Sequence, residues 1–201
     1  MDKKIIRQRL VKEISDIRCE YLYACYHEGR GGHSQEMHCG LSHLDLVLRA
    51  REAARERRSG GRRRLSHEAD GLPAELSVFS RFYGDREKMC SLIADTLMDS
   101  VDELMPFINS GQKKIHAYKT FPSPVGDCVL EEGDWDKLYP ISMVCVVVVH
   151  SDMDDRLFRV KTAFPNASTE WGEDGLSEVD RLYNELENYF REKGKIRSLD
   201  R

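Results

Sequence analysis

The sequence lacks any long apolar run. Its longest, Met143 to Val149, spans seven residues, where a membrane-crossing helix needs about 20. No membrane partner is expected. Nor is a secretory leader expected, because only two apolar residues separate Met1-Asp2-Lys3-Lys4 from Arg7. The polypeptide as written is expected to be made and kept in the cytoplasm, although a toxin excised from a larger exported protein would begin the same way and act in a target cell. None of the six cysteines (Cys19, Cys25, Cys39, Cys90, Cys128 and Cys145) forms a C-x-x-C pair. The seven histidines, His27, His33, His38 and His43 among them, show no recurrent ligand spacing. Neither metal nor other cofactor is expected, and the cysteines read as free thiols. Charge of one sign is not in excess either. A formal net charge of −4 does not announce a polyanion-binding protein. No internal repeat is present.

What is there suits one domain of moderate size. Of 201 residues, 40% are apolar, enough for a core, and 33% are charged, enough for a solvated surface. The expected division is an N-terminal helical extension over 1–30, a domain over 31–193 and a flexible tail over 194–201. Charge is unevenly spread. Eight arginines lie between Arg49 and Arg64 against Glu52 and Glu56, whereas Asp127 to Asp136 holds five acids and no base. Such local fields, more than net charge, decide where a phosphate settles. Arg55 to Gly71 has the composition of a linker. It reads as a solvated loop, as a phosphate-attracting flap in which Arg62, Arg63 and Arg64 bind substrate, or as an address signal.

Hydrophobic spacing predicts helix over 3–26, where Ile6, Leu10, Ile14, Ile17 and Leu22 recur without proline or glycine. Glycines after Glu28 break it. A second helix starts near Ser42, with Leu44, Leu48 and Val47 as its inward face. Leu76 to Phe82 reads as a short strand. Asp85 caps a strong helix whose apolar stripe runs from Met89 to Ile108. The period then changes, and Lys114 to Phe121, Asp127 to Glu131, Met143 to His150 and Leu157 to Ala163 read as strands. The apolar run around Val146 marks a central strand, paired as a hairpin with the strand after it. A last amphipathic helix uses Leu176, Val179, Leu182, Tyr183, Leu186 and Tyr189. The fold class is α+β, N-terminal helices followed by an antiparallel sheet, with a C-terminal helix.

Short motifs carry the reading further. They are His38-Cys-Gly40-x-Ser42 with Arg49 eleven residues after the histidine, Ser77-Val-Phe79, Val125-Gly126 and Lys161-Thr-Ala-Phe-Pro165. Their order and spacing resemble the RNase A-like toxin domains at the C-terminal ends of bacterial contact-dependent inhibition proteins, over about residues 36 to 165. The resemblance implies an RNase A-like fold, RNA cleavage without a cofactor, and a cognate immunity protein as partner alongside RNA (tRNA included). It implies catalytic roles for His38, Arg49 and Thr162. The family's fourth functional position, a tyrosine, is Phe164 here, so its hydroxyl is missing from a residue that can still touch substrate. Tyr118, Tyr139 and His150 are candidates to replace it.

The residue types fit the chemistry. Metal-free cleavage uses the RNA 2′-hydroxyl as nucleophile, so one proton must be removed and another donated. Imidazole carries protons near neutral pH. A guanidinium and a hydroxyl can hold the charge that develops on phosphate oxygens. One histidine leaves the second proton carrier unnamed. Phe164 also opens a different reading, a fold that has lost catalysis and acts as an RNA- or protein-binding module. His33 and His43 flank the motif, and His116 falls in a strand, where a packing or surface role is the simpler reading.

Overall fold

The computed structural model describes residues 2–28, 32–58, 78–131 and 133–193, the side chains of 57 and 58 excepted. Arg62, Arg63, Arg64 and Ser77 lie outside them, as do the boundary expected near residue 30 and the tail from 194. The class is α+β, as expected, with helices at both ends. The strands form two antiparallel three-stranded sheets instead of one.

The first expected helix is two. The helix α1 (Lys3–Asp16) ends where the amides of Ile17, Arg18 and Cys19 bond to carbonyls three residues back. That tightens the last turn into 3₁₀ geometry. Extended Cys19 then starts α2 (Glu20–Tyr26). The short α3 (Ser34–His38) was not anticipated in a glycine-bounded stretch. Next comes α4 (His43–Arg58), where Ser42 Oγ accepts the Asp45 amide, as a capping serine should. Its inward face differs from expectation. Leu44 and Leu48 are 63% and 52% exposed, while Leu46, Val47, Ala50, Ala53 and Ala54 are buried. Small alanines let the α4 backbone approach its sheet closely, and the leucines are turned out.

Strand β1 (Val78–Phe82) leads to α5 (Arg86–Asp99), whose N-cap Asp85 accepts the Lys88 amide. Ser100 leaves the helical region and divides the long apolar stripe, so α6 (Val101–Ile108) is a separate helix. Then follow β2 (Lys114–Thr120), β3 (Gly126–Leu130), β4 (Tyr139–Ile141), β5 (Met143–His150) and β6 (Phe158–Asn166). The three residues of β4 escaped the sequence pattern. Strand β6 runs three residues further than expected, through Pro165. A proline is tolerated there because β6 is an edge. The chain ends in α7 (Glu178–Glu192), started by a capping box of Ser177 and Asp180.

Sheet order is β1-β3-β4 in one sheet and β2-β5-β6 in the other, so β5 is central and β5–β6 a hairpin, as its sequence implied. Alternation assigns the faces. Val144, Val146 and Val148 of β5 enter the main core with Ala117, Val160 and Ala163. The helices supply Leu10, Ile14, Ile17, Tyr23, Met89, Ile93 and Leu97 to the same core, so the N-terminal helices share it. Each such fully buried side chain contributes about 1.5–3 kcal/mol by leaving water. The other sheet is covered twice. Leu46, Val47 and Ala50 of α4 pack on Val129, and Val179, Leu182 and Leu186 of α7 pack with Cys128 and Leu130. Strands β1 and β6, one edge from each sheet, adjoin, and α3 packs against both.

Candidate functional site

Two unpaired sheet edges create the site. The outer edge of β6 has backbone amides without a strand partner, and an uncovered edge invites pairing with other chains. Here side chains cap it. His27 Nδ1 accepts the Val160 amide at 3.1 Å, and Ser34 Oγ accepts the Ala163 amide at 2.7 Å. Tyr23 Oη donates to the same Ser34 oxygen at 3.0 Å. Burial pushes the His27 pKa down to about 3, helped by the positive charges of Arg156 and Arg159. It is therefore a neutral structural acceptor, stacked on Phe158. These contacts fasten the start of α3 to β6.

The other end of α3 is held by Arg49. Its guanidinium donates to the carbonyls of Met37 and Glu36, the kind of C-terminal carbonyl that a helix leaves unsatisfied. Between them, Gly40 takes a φ of +70. A side chain is disfavoured in that region by about 1–2 kcal/mol, which explains glycine after His38-Cys39. The His38–Arg49 interval thus measures one short helix, a left-handed turn and the first turns of α4.

His38 ends α3 at the seam of the two sheets and is 9% exposed. Its Nδ1 lies 3.0 Å from the Ser80 carbonyl oxygen of β1. A carbonyl only accepts, so Nδ1 carries the hydrogen and Nε2 holds the lone pair in the neutral ring. The opposite side of the imidazole meets β6. Its centroid is 5.6 Å from that of Phe164, with ring planes tilted by 37°.

Phe164 belongs to the face of the β2-β5-β6 sheet that turns away from the main core. There it clusters with Cys145, Val147 and Tyr118. Thr162, two residues earlier, shares that face by alternation. The register shift beside it leaves Lys161 as the extra residue of a bulge, a device that re-aims side chains. Thr162 is 4% exposed, and its Oγ1 has no hydrogen-bond partner among the described residues. A buried hydroxyl left so costs about 1–3 kcal/mol.

The expected residues are thus partly gathered. His38 meets Phe164, Thr162 lies two residues away on the same strand face, and Arg49 clasps the backbone that carries His38. No hydrogen bond joins Arg49 to Thr162 among the described residues. The three candidates to replace the missing hydroxyl separate clearly. Tyr118 is in the cluster. Tyr139 lies on β4, in the other sheet, where burial lifts its pKa to about 12. His150 stacks on Phe107 and bonds to the Gln112 carbonyl. His33 precedes α3 as its N-cap, and His43 Nε2 bonds to the Trp135 carbonyl at 2.8 Å. Reading the sequence missed Ser34 and Ser80, and it named His116 only for a packing or surface role. The last lies two residues before Tyr118, on the same face, and that i, i+2 spacing was the available signal.

Nearby, Arg81 grips the buried Asp127 with two hydrogen bonds of 2.8 and 3.1 Å and donates to the Leu41 carbonyl at 2.7 Å. The carboxylate holds the Arg81 pKa above its ordinary value. This pair ties β1, β3 and the α3–α4 turn together. All six cysteines are free. Among the described residues, no three His, Cys, Asp or Glu side chains cluster as a metal site would need, and no helix is long and apolar enough to cross a membrane.

No protein-family model and no curated protein matches the chain. Among solved structures it is similar to a chain of the crystal structure of a CdiA-CT/CdiI complex from Y. kristensenii 33638. The TM-score is 0.49 at 14% identity, covering 67% of this chain and 99% of that one. At that score the likeness carries no argument about function, and the reading below rests on residues and geometry.

Proposed function

We propose that this chain is a metal-independent endoribonuclease of toxin type that cleaves RNA by transesterification through its own 2′-hydroxyl. The observation that carries the reading is the buried Thr162 hydroxyl without a partner, on the face where Phe164 meets His38. An unsatisfied donor of this kind suits a ligand oxygen better than it suits a core. His38 is the base. Its Nδ1–H is committed to Ser80, which aims the Nε2 lone pair at a proton to be removed. Thr162 donates to a non-bridging phosphate oxygen as charge builds there. Arg49 positions His38 by holding the end of α3, and its charge favours the anionic transition state from that place. Arg62, Arg63 and Arg64 would draw RNA toward the site electrostatically. The toxin character, with a cognate immunity protein over the cleft and tRNA among the substrates, rests on the motif resemblance alone. The products would be a 2′,3′-cyclic phosphate and a free 5′-hydroxyl. A labelled oligonucleotide with a single ribose tests this. Cleavage should occur after that ribose, leave a cyclic phosphate, and stop when the ribose is replaced by deoxyribose. Cleavage of the all-deoxy strand would defeat the reading.

One observation favours the second reading, a binding module without catalysis. His38, Thr162 and Phe164 are all nearly closed to solvent, so a phosphate reaches them only when the face opens. RNA binding with no cleavage at high protein concentration would select that reading.

A further inference from the structure

Transesterification needs two proton carriers, one for the attacking 2′-hydroxyl and one for the departing 5′-oxygen. His38 accounts for the first. The register of the β2-β5-β6 sheet brings a second imidazole to the same face. His116 pairs with Val147, and Val147 with Thr162; one step along, Tyr118 pairs with Cys145, and Cys145 with Phe164. Since alternate residues share a face, His116 and Tyr118 stand in two consecutive rows with Thr162 and Phe164. The packing of Tyr118 against Cys145, Val147 and Phe164 establishes which face that is. The intervening Ala117, Val146 and Ala163 point into the core.

The two β2 side chains also form a unit. His116 Nδ1 is 3.2 Å from Tyr118 Oη, and the rings meet edge to face with centroids 6.2 Å apart. The contact orients the ring, and when His116 carries its proton the phenol oxygen can accept from Nδ1. With strands about 4.8 Å apart, two strand spacings separate the His116 and Thr162 backbones by about 10 Å. A phosphodiester lying over Val147 would have the Thr162 hydroxyl on one flank and His116 on the other, with His38 beyond, against Phe164.

We propose that His116, oriented by Tyr118, is the second proton carrier and acts as the general acid. This rests on the ribonuclease reading above. In the step, the 2′-oxygen forms a bond to phosphorus and its proton passes to His38 Nε2. The bond from phosphorus to the 5′-oxygen breaks, its electron pair stays on that oxygen, and the oxygen takes the proton from His116 Nε2. His38 ends protonated and His116 neutral, so the charge balances, and solvent resets both. The hydroxyl absent at Phe164 is thereby not required on β6, because Tyr118 brings one to the opposite end of the same cross-strand row.

A leaving-group comparison in EDTA tests this with the full chain. One substrate is a ribodinucleotide, whose nucleoside 5′-oxygen needs a proton to depart. The other is a uridine 3′-phosphodiester of 4-nitrophenol, whose phenolate departs without one. His116→Ala should lower dinucleotide cleavage by about 10²–10⁴, the usual worth of an acid or base. It should flatten the alkaline limb of the pH–rate profile, and remain within about tenfold of the unsubstituted chain on the nitrophenyl substrate, the outcome expected of a lost general acid. His116→Gln, which retains a polar side chain, is the second variant where alanine disturbs folding, as read by circular dichroism. Tyr118→Phe should move the alkaline limb to lower pH. Equal losses on both substrates, or full dinucleotide activity in both His116 variants beside a dead His38→Ala, would overturn the assignment and leave the ribonuclease reading standing. Failure of the unsubstituted chain to cleave either substrate would remove that reading and this one with it.

Discussion

His38 lies against Phe164 with ring centroids 5.6 Å apart, and the same imidazole reaches Ser80 on the facing sheet edge. One side chain therefore joins the two sheets at their seam. A tyrosine at position 164 would place a hydroxyl on the ring that meets the base. Phe164→Tyr tests whether that hydroxyl is missed. With His116 and Tyr118 supplying the second proton, the substitution should change cleavage by less than about threefold. A gain near the 10²–10³ that a transition-state donor is worth would mean that β2 supplies nothing.

Thr162→Val separates function from stability. Removing the hydroxyl and keeping the branched shape should reduce cleavage by about 10²–10³. It should also raise the stability measured by urea unfolding by about 1 kcal/mol, since an orphaned buried group disappears. Lost stability would show that Oγ1 is satisfied within the fold.

Gly126 of β3 is hemmed in by its own sheet and by Pro165 of the other. A Cβ there would stand 2.2 Å from the Arg81 carbonyl oxygen and under 3 Å from Pro165. Both are fixed, one as backbone and one as a ring on β6. Gly126→Ala should cost more than the ~1 kcal/mol typical of a point substitution, and it should lower activity by shifting β6 against β1. Chemical denaturation alongside RNA cleavage reads both effects.

His27 makes the fold acid-sensitive. Its folded pKa, about 3, lies below its ordinary 6.5. The unfolded chain therefore takes up a proton first as pH falls. The contribution is complete above about pH 6.5 and declines toward about pH 3, by at most about 1.4 kcal/mol per pH unit. Protonation also removes the acceptor for the Val160 amide. The stability difference between the natural chain and His27→Gln should shrink as pH drops from about 7.5 to about 5.5. A constant difference would show that the His27 pKa is the same in the folded and unfolded chains.

Periodicity made most elements legible. The alternation of β2 and β6, the apolar β5 between them and the Asp85 cap are visible in the residues themselves. Breaks within long apolar stripes were not, because Ser100 and the turn at Ile17–Cys19 interrupt the backbone and leave the hydrophobic spacing intact. Leu44 and Leu48 misled for a related reason. Residue type favoured them as the buried face, whereas close packing of α4 on its sheet selects the alanines. At the site, spacing linked His38 to Arg49 through a local helix and turn. The approach of His116 to Thr162 depends on the pairing register of three strands, and a single sequence does not encode that register in any local pattern. The contacts of Arg49 with the Met37 and Glu36 carbonyls are local, and they follow from the way the α3–α4 turn folds back.

The measurement that bears most directly on the account is cleavage of total tRNA and a short labelled RNA in EDTA. The natural chain is compared with His38→Ala and with His38→Asn, whose side-chain amide can still donate to the Ser80 carbonyl. The account predicts cleavage by the natural chain, unaffected by the chelator, and its loss in both variants, with His38→Asn retaining the natural circular dichroism. RNA left intact by the natural chain, or cleaved equally by His38→Asn, would contradict it.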